Sequence, residues 1–178
     1  MAAETKMDQC TRRGKSGWCF LFLILMLIVG SAGANTVWNP AGNGIYPPDV
    51  GDWGTAANWT NGLPGLGTEN PPLDPKAVFK HSDAAECWVT DSEIVQDLVM
   101  GEGGDAGILR IVDGGALSTT GGWAGIGYNS QAEMIVETGG TYDCEGHLWV
   151  GQNSGGVGTL TLDGGTVNGS GNFSLGWK

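Results

Sequence analysis

Glycine pairs that return at a fixed interval constrain the fold of this chain more than any other feature. The pairs Gly114-Gly115, Gly139-Gly140 and Gly164-Gly165 are separated by 25 and 25 residues. A second set of glycines recurs at intervals of 26, 24 and 25 residues: Gly101, Gly127, Gly151 and Gly176. Self-similarity at such a period is the signature of repeat architectures, and glycine adopts positive φ at a turn without steric cost. The sequence therefore predicts stacked coils of about 25 residues with glycine at their corners.

Each repeat contains three short stretches in which apolar residues alternate with small or polar ones, which is the pattern of β-strands. The equivalent apolar positions form columns: Leu98/Ala124/Leu148/Phe173, Met100/Ile126/Val150/Leu175, Leu109/Met134/Leu160, Ile111/Val136/Leu162 and Leu117/Tyr142/Val167. One such coil cannot bury its apolar face alone, so it must stack on its neighbours. We predict an all-β, single-stranded parallel β-helix with three short strands per coil. A flat antiparallel sheet or a propeller is the alternative, although propeller blades are longer, about 40–50 residues.

The repeat places four coils near 77–97, 98–122, 123–147 and 148–172, followed by an incomplete coil at 173–178. Residues 35–76 differ: they contain all seven prolines of the chain, six of them outside the strand pattern, and the tryptophans Trp38, Trp53 and Trp59. Solenoids need a cap over the open end of their core, so we interpret 35–76 as an N-terminal cap. At the other end, we expect either that the natural chain continues past Lys178 or that the open edge docks on a partner or on itself.

The first 34 residues have the pattern of a signal peptide. Lys6, Arg12, Arg13 and Lys15 precede an apolar run, 18–30, and the small residues at 31–34 fit a cleavage site before Asn35. The run is shorter than the roughly 20 residues that a membrane-spanning helix needs. An uncleaved anchor is the alternative. We predict a secreted or cell-surface protein, cleaved near Ala34, with no membrane insertion after cleavage.

The predicted mature chain, 35–178, is strongly acidic. It has four basic against 17 acidic residues, a formal charge of −13. Such a charge repels nucleic acids and anionic lipids, so neither is an expected partner. The mature part retains two cysteines, Cys87 and Cys144, which the repeat places about two coils apart. At about 4.8 Å per coil this separation exceeds the reach of a disulfide, so we predict free thiols.

Two stretches carry a resemblance to a known family. Residues 148–167, LWVGQNSGGVGTLTLDGGTV, resemble the strand repeats of bacterial extracellular proteins of the autotransporter-associated or PEP-CTERM-associated type. Residues 53–64, WGTAANWTNGLP, are similar to the W-x-NW-x-G-x-P opening that often precedes such repeats. The resemblance covers most of 38–177. It implies a right-handed β-helix that serves as a secreted or cell-surface stalk, sometimes joined to catalytic modules.

An enzyme of the pectin-lyase-like type is the alternative, since parallel β-helices also host polysaccharide-degrading enzymes. Such a site needs convergent carboxylates with a basic residue or a metal. Arg110 is the only arginine of the mature chain, and its counterparts in the next two coils, Ile135 and Thr161, are not acids. His81 and His147 have no cysteine at zinc-like spacing. We predict no cofactor, no metal site and no catalytic residues.

One surface is a candidate for ligand binding. The outward column Asp97/Trp123/His147/Asn172 flanks the column Val99/Gly125/Trp149/Ser174. Trp149 beside Gly125 can simply cover bare backbone. Alternatively, Trp123, Tyr128 and Trp149 offer ring faces to sugars while Asp97, His147 and Asn172 bond their hydroxyls. The favoured function is a structural or adhesive surface module without its own catalysis. The alternative is a β-helix that binds or degrades extracellular polysaccharide.

Overall fold

The computed structural model describes residues 36–38, 50–65, 75–80, 86–103 and 107–176. All pairs of neighbouring strands in its three sheets run parallel. Successive strands of each sheet come from successive coils, so the chain forms a β-solenoid of about 4 turns. The predicted parallel solenoid with three short strands per coil is confirmed.

The three sheets contain six, five and four strands. The first sheet contains β1 (Thr36–Val37), β3 (Lys76–Phe79), β6 (Asp97–Met100), β9 (Trp123–Ile126), β12 (His147–Val150) and β15 (Phe173–Leu175). The second contains β2 (Val50–Asp52), β4 (Glu86–Val89), β7 (Ile108–Ile111), β10 (Gln131–Glu137) and β13 (Val157–Asp163). The third contains β5 (Ser92–Val95), β8 (Ala116–Thr119), β11 (Thr141–Cys144) and β14 (Thr166–Gly169). A 3-10 turn, Ala56–Asn58, is the only helical element among the described residues.

The register of the strands reproduces the predicted columns. Met134 lies opposite Leu109 on one side and opposite Leu160 on the other. In the third sheet, Tyr142 lies between Leu117 and Val167 in the same way. These inward residues are buried through most of the stack and form one continuous core. Each large apolar side chain buried in this way contributes about 1.5–3 kcal/mol to stability.

The corners explain why glycine marks the period. Gly114 has a φ of 82°, a conformation that strains residues with a side chain. At Gly115 the reason is space, because a Cβ atom there would lie 2.1 Å from the carbonyl oxygen of Val89 in the preceding coil. A glycine pair therefore turns the chain and also lets one coil approach the next.

The segment predicted to be a cap supplies strands as well as tryptophans. Strands β1 and β2 are the end strands of the first and second sheets, paired with β3 and β4. Trp38, Trp53 and Trp59 are buried and pack around Phe79, with ring centroids 5.7–6.1 Å from it. The indole Nε1 of Trp59 donates a hydrogen bond of 2.8 Å to the carbonyl oxygen of Trp53. The aromatic cluster is thus part of the same core as the coils.

Burial decreases towards the last coil. The inward residues Phe173 and Leu175 are 56% and 71% exposed, although Leu148 and Val150, their partners in the preceding coil, are buried. Leu162 in the second sheet is exposed too. These side chains belong to the core columns by register, but no described coil lies beyond them. We call this surface the open end.

Cys87 and Cys144 are buried free thiols, as predicted. Cys87 lies in β4 and Cys144 in β11, so they belong to different sheets as well as to different coils. The predicted signal peptide, 1–34, lies outside the described residues, and so do His81 and Lys178. None of the helices in the described part of the chain is long and apolar enough to span a membrane.

Candidate functional site

Four of the predicted site residues form a cluster of rings on the side of the first sheet that faces away from the core. We call Trp123, Tyr128, His147 and Trp149 the aromatic patch. The ring of Trp123 lies 5.6 Å from that of Tyr128 and 5.7 Å from that of Trp149, between centroids. His147 adds a fourth ring, 5.5 Å from Trp149. The four rings therefore form a continuous chain of contacts, in the order Tyr128, Trp123, Trp149 and His147.

The strand register explains how this patch forms. Trp123 in β9 lies opposite His147 in β12, and two residues on, Gly125 lies opposite Trp149. A Cβ atom at Gly125 would lie 3.0 Å from the Trp123 ring, so that ring covers the bare backbone. From the sequence alone, Trp149 was a candidate for this covering role, but the ring nearest to Gly125 belongs to Trp123.

The remaining two predicted residues, Asp97 and Asn172, lie at either end of the patch. The carboxylate of Asp97 accepts a hydrogen bond of 3.4 Å from the backbone N–H of Trp123. The backbone N–H of Asn172 donates to Nδ1 of His147 at 3.3 Å. All six predicted residues are thus connected along one face. Lys76, which the sequence analysis did not include, places its Nζ 5.8 Å from the centroid of the Trp123 ring.

The outward face of the first sheet is less exposed than the alternating pattern predicts. Val78 and Val99 point away from the core cluster, yet they are 1% and 0% exposed. On this outward face the aromatic rings begin with Trp123 in β9, and the four rings of the aromatic patch are half-buried. Beside them, Oε1 of Gln152 is buried and has no hydrogen-bond partner in the described structure. The patch therefore combines partly exposed rings with one unsatisfied acceptor.

A second group of side chains, on the outer face of the second sheet, was missed by the sequence analysis. Arg110 in β7 donates from Nε to the carboxylate of Glu86 and, at 2.6 Å, from Nη1 to that of Glu137. These hydrogen bonds, the one to Glu86 first, raise the pKa of Arg110 above its already high ordinary value. The expectation that no acids converge on Arg110 was wrong, because the partners lie one coil to either side and diagonally along the strands.

An open groove of about 470 Å³ surrounds this ion-pair network. Besides Arg110 and its two glutamates, Trp88, Thr90 and Asp113 line it. Trp88 lies directly opposite Arg110 in the neighbouring strand and is 39% exposed. We call this the arginine groove. No group of histidine, cysteine, aspartate or glutamate residues in the described part of the chain has a geometry that could hold a metal ion.

Comparison with known proteins adds no assignment to these two surfaces. No family model, no curated protein and no solved structure matches this chain. The aromatic patch and the arginine groove are therefore characterised by their own geometry.

Proposed function

We propose that the chain is a structural or adhesive β-solenoid module of a secreted or cell-surface protein, and that its role is to provide length, stiffness and display. The observation that supports this role is the unbroken register from β1 to β15 in the first sheet, which gives a stack with one continuous core. Because each coil pairs its backbone with the next, such a stack resists bending and presents side chains in fixed columns.

The open end gives such a module a means of joining another β-edge. Strands β13, β14 and β15 contain no lysine and no proline, and Asp163 is their only charged residue. Natural proteins block exposed strand edges with charges, prolines or bulges, because a bare edge pairs with other chains. A strongly acidic protein whose last coil is almost uncharged can bring two such ends together with little electrostatic repulsion.

Self-association of the predicted mature chain, 35–178, tests this proposal. Light scattering after size-exclusion chromatography should show a molecular mass that rises with protein concentration. Leu175→Lys places a charge on the open end and should shift the protein to the monomer. Ile94→Lys is the matched control, because Ile94 is also an exposed apolar residue, in β5, the strand at the other edge of the third sheet. A monomer at all concentrations, or equal effects of both substitutions, contradicts association through this end.

Export is tested separately by expressing the whole chain in a bacterial host and sequencing the N-terminus of the product. The proposal requires a mature protein that begins at Asn35 and is found outside the cytoplasm. A membrane-bound chain that keeps residues 1–34 supports the uncleaved anchor instead.

Carbohydrate contact at the aromatic patch is a second candidate function. Two observations favour it: partly exposed rings lie in contact, and the Gln152 acceptor beside them lacks a donor. Sugar rings stack their C–H faces on aromatic side chains while their hydroxyls supply donors. Glycan-array binding that is lost in Trp149→Ala and in Trp123→Ala supports this candidate; unchanged binding in both variants removes it.

A further inference from the structure

The arginine groove differs from an ordinary surface ion pair in where its polar atoms lie. Glu86, Arg110 and Glu137 come from three consecutive coils, in β4, β7 and β10. Since neighbouring coils are about 4.8 Å apart, the network extends roughly 10 Å along the stack. Its side chains are largely covered, between 19% and 34% exposed. The carboxylates and the guanidinium are therefore held in one orientation by the strands and by each other.

The groove also offers unused hydrogen-bonding capacity. A guanidinium carries five N–H donors, and the two bonds to Glu86 and Glu137 leave the others available. Each carboxylate retains acceptor sites beyond the one that Arg110 occupies. Thr90, on the same wall, binds Oδ2 of Asp52 through its hydroxyl at 2.6 Å. The side chains that line the groove thus include both donors and acceptors.

Trp88 supplies the apolar part of the surface. It lies next to Arg110 across the strands, and more than a third of its surface is exposed. A structural ion pair that only holds coils together does not require an exposed indole beside it. An apolar ring next to convergent polar groups is the arrangement of small-molecule binding sites. A sugar ring matches both features, because it has an apolar C–H face and a rim of hydroxyls that donate and accept.

Charge argues against one class of sugar. Arg110 carries one positive charge, whereas Glu86, Glu137 and Asp113 together carry three negative ones, so the groove is negative at neutral pH. This charge disfavours uronates and other anionic sugars. The positive charge of Arg110 is already paired with two carboxylates, which further reduces its attraction for an added anion.

From this geometry, we propose that the arginine groove is a binding subsite for a neutral polysaccharide chain, with Trp88 as the stacking platform and the Glu86–Arg110–Glu137 network as its hydroxyl-binding wall. This inference goes beyond the scaffold role and does not depend on self-association. It also places sugar binding on the second sheet, away from the aromatic patch of the first. The groove binds and orients the chain; no reaction step is assigned to it.

The experiment compares three oligosaccharide probes by isothermal titration calorimetry with the chain 35–178: a neutral glucan hexamer, an oligogalacturonate and a chitosan oligomer. If the glucan hexamer does not bind, an array of neutral glycans is screened, and a glycan that binds on the array replaces the hexamer as the neutral probe. Neutral binding should change little between low and high salt, because no net charge is neutralised. Tighter binding of the oligogalacturonate than of the neutral probe contradicts the assignment to neutral sugars. Tighter binding of the chitosan oligomer, with an affinity that falls steeply at high salt, contradicts it as well. Absence of binding to all three probes and to the array overturns the subsite.

Substitutions then locate the site. Trp88→Ala should weaken binding at least tenfold, while Trp88→Phe, which keeps an aromatic platform, should lose less. Glu137→Gln keeps the shape of the wall but loses the ion pair, and should weaken binding by a smaller factor than Trp88→Ala. Ile94→Ala, at an exposed apolar residue of the third sheet that does not line the groove, is the matched control and should bind normally. Because Trp88 is partly exposed, its variants should keep the wild-type circular dichroism and melting curve, so lost binding reports on the groove.

A separate variant on the aromatic patch, Trp149→Ala, separates this inference from the second candidate function. Binding that is lost in Trp149→Ala and kept in Trp88→Ala assigns the sugar to the aromatic patch and overturns the groove. Binding that is lost in Trp88→Ala and kept in Trp149→Ala supports the groove. In either case the light-scattering result on the open end stands by itself.

Discussion

The two ends of the solenoid consist of similar coils but differ in what covers their core. At the first end, Trp38, Trp53 and Trp59 close over Phe79, and all four rings are nearly inaccessible to solvent. At the open end, Phe173 and Leu175 continue the same inward columns but are largely exposed. The position of a residue within its coil therefore decides whether its side chain points into the core. The position of the coil within the stack decides how deeply that side chain is buried and how much it contributes to stability. Stability should be concentrated at the aromatic end.

The largest difference in the free energy of unfolding is expected when a phenylalanine at each end is replaced by alanine and the two variants are compared. Phe79→Ala removes a ring that packs against three tryptophans and should lower the free energy of unfolding by about 3–5 kcal/mol. Phe173→Ala removes a ring that is already half in solvent and should cost less than about 1 kcal/mol. Urea unfolding followed by tryptophan fluorescence and circular dichroism measures both. Equal losses would show that the ends do not differ in the way that burial indicates.

Thiol reactivity should distinguish the same two regions by rate. Burial, with smaller contributions from Asp52, Glu93 and Glu86, raises the pKa of Cys87 well above its ordinary value, so little reactive thiolate forms. Cys144 is buried too, but it borders a depression at the open end that Phe173 and Val167 line. Local opening is easiest where few contacts hold a segment. Cys144 should therefore react with a thiol reagent at least about tenfold faster than Cys87.

Single-cysteine variants, Cys87→Ser and Cys144→Ser, assign the two rates in this measurement. Intact mass before and after reduction should be identical, because both thiols are free. Faster reaction at Cys87 would mean that the aromatic end opens first, contrary to the comparison.

The smallest change in the free energy of unfolding is expected from replacing an acidic residue near the aromatic end. Partial burial, followed by the charges of Asp52 and Asp91, raises the pKa of Glu93 above 4.5. Because the folded carboxyl keeps its proton to higher pH than the unfolded one, the associated stability is present below about 4.5 and is lost as pH rises through the raised pKa. Glu93→Gln should therefore raise the free energy of unfolding at neutral pH, by less than about 1 kcal/mol, and change nothing at pH 4.

Urea titrations at several pH values measure this difference. Glu145→Gln, at an exposed glutamate near β12, is the control for the removal of one negative charge. A Glu93→Gln variant that is less stable than the wild type at neutral pH would show that the charged carboxylate is favourable in the fold.

The columns of the solenoid were readable from the sequence because parallel stacking aligns residues at equal positions in each repeat. Leu109, Met134 and Leu160 illustrate this, even with the one-residue slip before Leu160. The aromatic patch was readable for the same reason, since Trp123 and His147 occupy equal positions in successive coils. What could not be read was the orientation of long side chains. Whether Trp123 or Trp149 covers Gly125 depends on side-chain rotation, which the repeat does not specify.

The partners of Arg110 were missed for a related reason. Comparing equal positions led only to Ile135 and Thr161, but a long side chain also reaches the diagonal neighbours two residues away in an adjacent strand. Searching those diagonals in the coils before and after Arg110 finds Glu86 and Glu137. Likewise, alternation predicted an outward Val99, and it cannot tell whether something covers the outer face.

The sequence by itself determined the length of the coil and the residues that line the core, because hydrophobic burial and glycine corners act on residues within one repeat and recur with it. The tertiary structure alone decided the ion-pair network, the exposure of Trp88 and the contrast between the two ends. Those features arise between coils, from side chains that cross from one repeat to another and from the number of coils stacked on either side.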